Sequence, residues 1–392
     1  MKHIVATALV FALLLALGAQ RASASAWDDL VKAATAEGEV DVHGGPGRLY
    51  EQVLSQDFRR DFPQIKVAFS GSSGRDAIPQ ITRERAAGVY NWDVYVGGTP
   101  SILQSLMPAG AFVPLRPAFV LPEITDDKNW FGGLDLGWMD SAKRYVLGFE
   151  ATVTAPVMVN WDFVAHDDLK TYEDLLAPRF ANKIVWDDPR LPGAGVGVGQ
   201  RLLNNFGADF LQRLYAKQKI IYSTNPRQEA EWLVRGQYPI GLGTAAEEIG
   251  PFQQQGLGKN IAGFDLHLPH PTMSTGFGTV SMMDHAPHPH AAKLYINWLL
   301  SKAGQTDWGQ TGHNSRRLDV PHPDPASFPV AGASYGADQS EAAIPSRDKA
   351  TELAKQFIPA QSHSPHFDRR ISQRGEPSAN RQSAAGAACG GA

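Results

Sequence analysis

Three short loops carry the residue types that could do chemistry. They are His43-Gly44-Gly45-Pro46-Gly47, Gly71-Ser72-Ser73-Gly74 and Gly97-Gly98-Thr99. Glycine lets a backbone approach a ligand, and serine or threonine offers a hydroxyl. A helix that follows such a loop adds free N–H groups and a partial positive charge. Gly44, Gly45, Ser72, Ser73, Gly74, Gly98 and Thr99 are therefore candidate ligand contacts, and Arg75 opens the helix after the second loop. The run from Asp187 to Gly197 repeats the arrangement, with Arg190, Gly193 and Gly195 leading into another helix. The guanidinium groups of Arg75 and Arg190 are planar forks suited to a carboxylate or phosphate held from both sides. Thr244 caps a later helix, and Glu247 or Glu248 in its first turn suits a cation or an amine. This set points to capture of a small organic anion or phosphorylated solute.

Enzyme signatures fail on spacing. Gly193 to Gly199 reads G-x-G-x-G-x-G, off the dinucleotide register, and no G-K-[ST] is present. Gly71-Ser72-Ser73-Gly74 is not a nucleophile elbow, because position 75 is arginine. His285, His288 and His290 beside Asp284 flank Pro289 at a helix mouth without an i, i+4 pair, so a solvated turn is expected rather than a zinc site. Cys389 is the single cysteine, which excludes an intrachain disulfide framework. No catalytic residue, metal or cofactor is expected.

The elements that must position these loops alternate. Apolar residues at 27, 30, 31 and 34 predict a helix ending at Gly38, followed by a strand over Val40–Val42. Tyr50, Val53, Leu54 and Phe58 predict a helix closed by Pro63, and Ile65, Val67 and Phe69 alternate as a strand. A helix through Ile78 and Ile81 leads to a strand with Val94 and Val96. This strand–helix alternation predicts a parallel, doubly wound sheet whose ligand loops lie beyond the carboxyl ends of the strands. The second half repeats it, with strands at Lys183–Trp186 and Ile240–Leu242 and helices over 198–217 and 226–235. The β-prone stretch from Tyr145 to Val159 is long enough to run from one lobe to another, and Leu266–Pro271 reads as the return crossing.

The 392 residues include 43% hydrophobic and 19% charged residues, a globular composition with room for two domains. A net charge of −4 excludes a general electrostatic grip on nucleic acid. Residues 1–26 read as a secretory signal peptide: Lys2 and His3, an apolar run from Ile4 to Leu17, then Ala24-Ser25-Ala26 as the cleavage pattern. Export to the periplasm follows. Residues 361–392 lack apolar periodicity and are predicted to be a disordered tail.

The stretch from Asp284 to Gln305, with His288-Pro289 followed by Leu294, Tyr295, Trp298 and Leu299, resembles the late helix of bacterial extracellular solute-binding proteins of ABC transporters. The similar branch is the ferric-iron, thiamine and putrescine type. Ser315-Arg316-Arg317-Leu318-Asp319-Val320 resembles the segment that follows, Ser72-Ser73-Gly74 with Asp93-Val94 an upstream block, and Leu176–Ile184 with Asp188-Pro189 a middle one. The resemblance implies two α/β lobes of the type II periplasmic binding protein kind, joined by crossing hinge strands. Residues 27–150 with about 266–305 would form one lobe, and 151–265 with about 306–360 the other. A ligand in the cleft between them, closure on binding and delivery to a membrane permease are implied, with the protein a monomer. Iron-binding members place neighbouring tyrosines where this chain reads Gly243-Thr244-Ala245-Ala246-Glu247-Glu248-Ile249, so Tyr222 or Tyr238 would have to serve instead. An iron site without the tyrosine pair and a secreted enzyme on the same fold are the alternatives.

Overall fold

The computed structural model describes residues 25–359, apart from residues 154, 156, 245 and 265–267 and the side chains of 246 and 247. The tail, nearly all of the expected signal peptide, and Leu266 with His267 of the return crossing lie outside the described residues. Helix α1 (25–37) turns Leu30 and Ala34 into the core, and Gly38 at φ +72° ends it. Strands β1 (Glu39–Gly44), β2 (Lys66–Gly71) and β3 (Val94–Val96) run parallel, with Val42 opposite Phe69 on one side and Val94 on the other. Helices α2 (48–61) and α3 (Gly74–Ala86) are the crossovers. Strands β4 (Phe112–Val113) and β5 (Leu147–Gly148) follow.

The chain then leaves this sheet through β6 (Thr152–Val153) and builds a second one. It contains β7 (Val157–Asn160), β8 (Ile184–Asp187), β9 (Ile221–Ser223), β10 (Ile240–Leu242) and β11 (Ile261–Gly263), in the order β11-β7-β10-β8-β9. Helices α4 (Ala194–Lys217), α5 (Pro226–Val234) and α6 (Ala246–Gln254) connect them, and α4 kinks at Gly207. The return is β12 (Met273–Ser274), paired antiparallel with β6, after which β13 (Thr279–Met283) enters the first sheet between β3 and β4. Helices α7 (Pro289–Leu300) and α8 (Lys302–Trp308) then pack on that sheet.

Each sheet is mixed rather than wholly parallel. β13 is antiparallel to β3, β4 and β5, and β7 is antiparallel to β10 and β11. Both strands follow directly on a hinge crossing, without the helical crossover that a parallel partner requires.

Two apolar cores result. Val42, Val94, Val280, Leu294, Tyr295 and Trp308 belong to the first, and Val159, Trp186, Leu202, Leu214 and Leu242 to the second. The C-terminal segment is divided between them, whereas residues 306–360 were expected wholly in the second lobe. Trp308 is fully buried against Phe149 and Tyr50 of the first core, and Ser315 and Arg317 bridge to Glu150 and Trp130. The chain crosses a third time where Gly336 pairs with Thr272, and helix α9 (Ile344–Phe357) puts Leu353 and Ala354 into the second core.

Candidate functional site in the interlobe cleft

The helix start after β2 meets the loop after β8 across the two lobes. Arg75, second residue of α3, reaches from the first lobe to the second. Its Nε and Nη2 both donate to the carbonyl of Pro192, at 3.0 and 2.6 Å. The guanidinium stands 3.9 Å from Asp187 Oδ1, beyond hydrogen-bond distance. A Cβ at Gly193 would fall 2.8 Å from both Arg75 Nη2 and Asp187 Oδ2, so glycine is what lets the two lobes meet there.

Asp187 ends β8 and caps α4: its Oδ2 accepts the Gly195 N–H at 2.7 Å. Burial raises its pKa, opposed by the Gly195 N–H and by Arg75. The helix N-terminus expected to hold an anion is thus filled by the protein's own carboxyl. Gly195 fits because a Cβ would lie 1.6 Å from the Asp187 carbonyl oxygen.

Arg190 is engaged elsewhere. Its Nε and Nη2 pair with both oxygens of Asp188, at 2.8 and 2.6 Å, and its Nη1 donates to the Pro359 carbonyl. It covers the ring of Tyr222, with 5.6 Å between guanidinium carbon and centroid. Arg190 therefore anchors the end of the C-terminal segment to this loop. Burial pushes the Tyr222 phenol far above its ordinary pKa. Tyr238 packs edge-on against Trp232.

The first lobe's loops are partly self-satisfied. Ser72 Oγ is 3.1 Å from His43 Nε2, whose ring stacks on Tyr95 and whose pKa burial lowers to about 4. Ser73 precedes α3 and donates to Asp76. Gly44 faces inward, where a Cβ would strike Phe69 and Leu54, and Gly45 lies between Tyr50 and Phe277. A Cβ on Gly74 would meet Ser101, and one on Gly98 would lie 3.7 Å from the Gly276 carbonyl. Thr99 is fully buried and donates to the carbonyl of Gln339. Thr244 is buried beside Gly241, and its hydroxyl has no partner among the described residues. The side chain of Glu247 lies outside the described residues.

Two residues of the site escape sequence reasoning. Gln339 Oε1 accepts from the Thr275 N–H and hydroxyl at 2.7 and 2.6 Å, tying the third crossing to the hinge. No periodicity marks the segment around it. Glu229 on α5 is fully buried, and neither of its carboxyl oxygens has a hydrogen-bond partner among the described residues. Burial and the neighbouring Asp187 raise its pKa to about 8. Here a signal existed: Glu229 shares a helix face with Leu233, an acid on an apolar stripe.

His288 is not part of a solvated turn with His285 and His290. Its Nδ1 lies 2.9 Å from Asp93 Oδ2 and 3.3 Å from Asp41 Oδ2, and its N–H donates to Asp93 Oδ1. These three side chains stand close enough together to hold a metal ion. They lie on the first sheet away from the ligand loops and join β1, β3 and α7.

The model of the bacterial extracellular solute-binding protein family matches residues 54–324. The chain belongs to that family. No curated protein is recognisably similar in sequence. Solved structures share the fold of this extracellular solute-binding protein. Apo ferric ion-binding protein A of Pasteurella haemolytica has 14% identity and a TM-score of 0.63, covering 83% of this chain and 99% of its own. Iron-bound HitA of Pseudomonas aeruginosa has 18% identity and a TM-score of 0.60, covering 81% and 99%. AfuA of Actinobacillus pleuropneumoniae, with fructose-6-phosphate bound, has 17% identity and a TM-score of 0.60, covering 82% and 98%. The fold is the two-lobed, type II periplasmic binding protein fold. The extracellular solute-binding protein is a periplasmic, solute-capturing component of an ABC importer, and its family comprises binding proteins rather than enzymes.

Proposed function

We propose that the solute is a small organic anion, carboxylate or phosphorylated, which enters between the lobes and takes Arg75 from Pro192. The observation that carries this reading is the state of Arg75. Among the described residues no carboxylate meets its charge at hydrogen-bond distance, whereas Arg190 is neutralised by Asp188. On the far side burial raises the Asp187 carboxyl above its ordinary value and Glu229 to about 8, so Glu229 adds no negative charge at neutral pH. The charge balance at the gap therefore favours an incoming anion. AfuA, whose structure holds a sugar phosphate, is compatible with this class. Iron is less favoured: the Gly243–Ile249 segment supplies no tyrosine, and the Tyr222 phenol lies under Arg190.

In this reading the protein does no bond chemistry. The solute bridges both lobes and shifts an open–closed equilibrium by its preference for the closed form. The closed monomer then presents it to the permease. Residues 1–26 act as the export signal, cleaved after Ala26. Calorimetric titration with carboxylates, phosphonates, sugar phosphates, thiamine, polyamines and ferric iron tests the class. An anion should bind, and Arg75→Gln should weaken it by about 100-fold, the loss of a charge-assisted bidentate contact. Binding of an uncharged sugar alone, or of ferric iron alone, overturns the proposal.

A further inference from the structure

We infer that the Glu229 carboxyl forms a second subsite in the cleft, one that takes an ammonium group, so that the solute is a small zwitterion. This rests on the reading of Arg75 as the contact for the acidic end. The inference starts from what Glu229 lacks. Other acids buried at these two sheets are provided for: Asp187 by the Gly195 N–H, Asp188 by Arg190, Asp93 by the Asp41 N–H and His288. Glu229 has no exposure to water, and neither oxygen has a partner at full hydrogen-bond geometry among the described residues, although the Ser223 hydroxyl acts on it. Buried polar groups are otherwise matched, so such a carboxyl marks a place where a partner is missing.

Its position identifies the partner. α5 begins three residues after β9, and Glu229 is its fourth residue, with Asn225 capping the helix. The charged groups acting on Glu229 are Asp187 from the end of β8 and Arg75 from the opposite lobe, with the Ser223 hydroxyl of β9 assisting. Two carboxyls thus stand near each other where β8 and β9 end. The cation acting on them among the described residues, Arg75, is directed to Pro192 instead. A second anion could not ionise Glu229 or match its oxygens, and a hydroxyl would bring a single donor and no charge. An ammonium brings one positive charge and three donors in a small volume. Arg75, released from Pro192, then meets the acidic end of the same molecule. The unpartnered Thr244 hydroxyl stands at the end of β10, where Gly243 abuts Gly195.

The proton balance provides a signature. Glu229, with a pKa of about 8, carries a proton at neutral pH, and an ammonium would displace it to solvent. Titration at neutral pH with β-alanine and 2-aminoethylphosphonate, beside propionate and ethylphosphonate, tests this. The measurement is made in two buffers of different ionisation enthalpy. The aminated probes should bind at least about tenfold tighter than their analogues and release about one proton. Glu229→Gln should abolish both the preference and the release while keeping the thermal midpoint of the parent or raising it. Equal binding of aminated and plain probes overturns the ammonium subsite and leaves the anion reading standing. Binding of putrescine in place of all four overturns the anion reading and the zwitterion with it. Failure of all four probes also overturns the zwitterion assignment. A preference that survives in Glu229→Gln removes Glu229 from the site.

Discussion

At the scale of residues, Asp93 and His288 act together as a fastener. Asp93 is wholly buried, accepts the Asp41 N–H at 2.8 Å on one oxygen and the His288 N–H at 2.7 Å on the other. It thereby joins β1, the start of β3 and the mouth of α7. Burial lowers the His288 pKa, but the bond to Asp93 and the charges of Asp93, Asp41 and Glu39 outweigh it, and the net shift is upward. A histidine raised in the folded state stabilises fully below its unfolded pKa, near 6.5, and loses that contribution as pH rises through the folded value. His288→Gln should therefore cost more thermal stability at about pH 5.5 than at about pH 9, read from paired melting curves. Equal losses would mean that the imidazole acts by packing alone. Arg316 is a second such case. Fully buried, it donates to the carbonyls of Gly148, Phe131, Gly133 and Leu134 and lies over Trp130. The motif residues Asp93, His288 and Arg316, through which the sequence resembles its family, prove to be structural parts of the first lobe.

Among the elements, the start of α4 decides how the second lobe meets the first. Gly193 and Gly195 keep the strand-end loop flat against Asp187, whose carboxyl caps the helix. Gly243, at φ +76°, brings the β10 loop to within contact of Gly195. A side chain at 195 has no space, since the obstacle is the Asp187 main chain rather than a flexible group. Gly195→Ala should destabilise the protein by about 3 kcal/mol or more in urea unfolding. A variant as stable as the parent would show that the loop yields freely, and the cap on α4 would lose its role in setting the gap. Asn297 does comparable work in the first lobe, where it accepts from Val120 and Leu121 and donates to Ala118.

For the whole molecule, three chain crossings join the two sheets: β6, β12 and the segment around Gly336 to Glu341. Gln339 holds the third to the second, and Thr99 of the β3 loop is tied to Gln339. Across the gap, Arg75 holds Pro192 and Gln104 meets Asp348 of α9. Arg75 is a direct contact between ligand loops, so its removal should favour the open arrangement. Small-angle scattering of Arg75→Gln without solute should give a larger radius of gyration than the parent. An unchanged radius would assign closure to the crossings and α9 instead.

Sequence alone determined the alternation of elements, the loops at the strand ends, the crossing after Tyr145 and the family. Those features rest on local periodicity, turn chemistry and motif order, which a linear chain displays directly. Only the tertiary structure decided the antiparallel entry of β7 and β13, the division of the C-terminal segment between two cores, and the fates of Arg75 and Arg190. In the sequence both arginines follow a strand-end loop and look equivalent. Asp188 stands two residues before Arg190 and neutralises it, whereas Arg75 hydrogen-bonds a carbonyl across the gap and stays 3.9 Å from Asp187. Which cation remains available, and whether Glu229 finds a donor, depends on groups brought together from distant parts of the chain, and hydropathy and spacing do not record that.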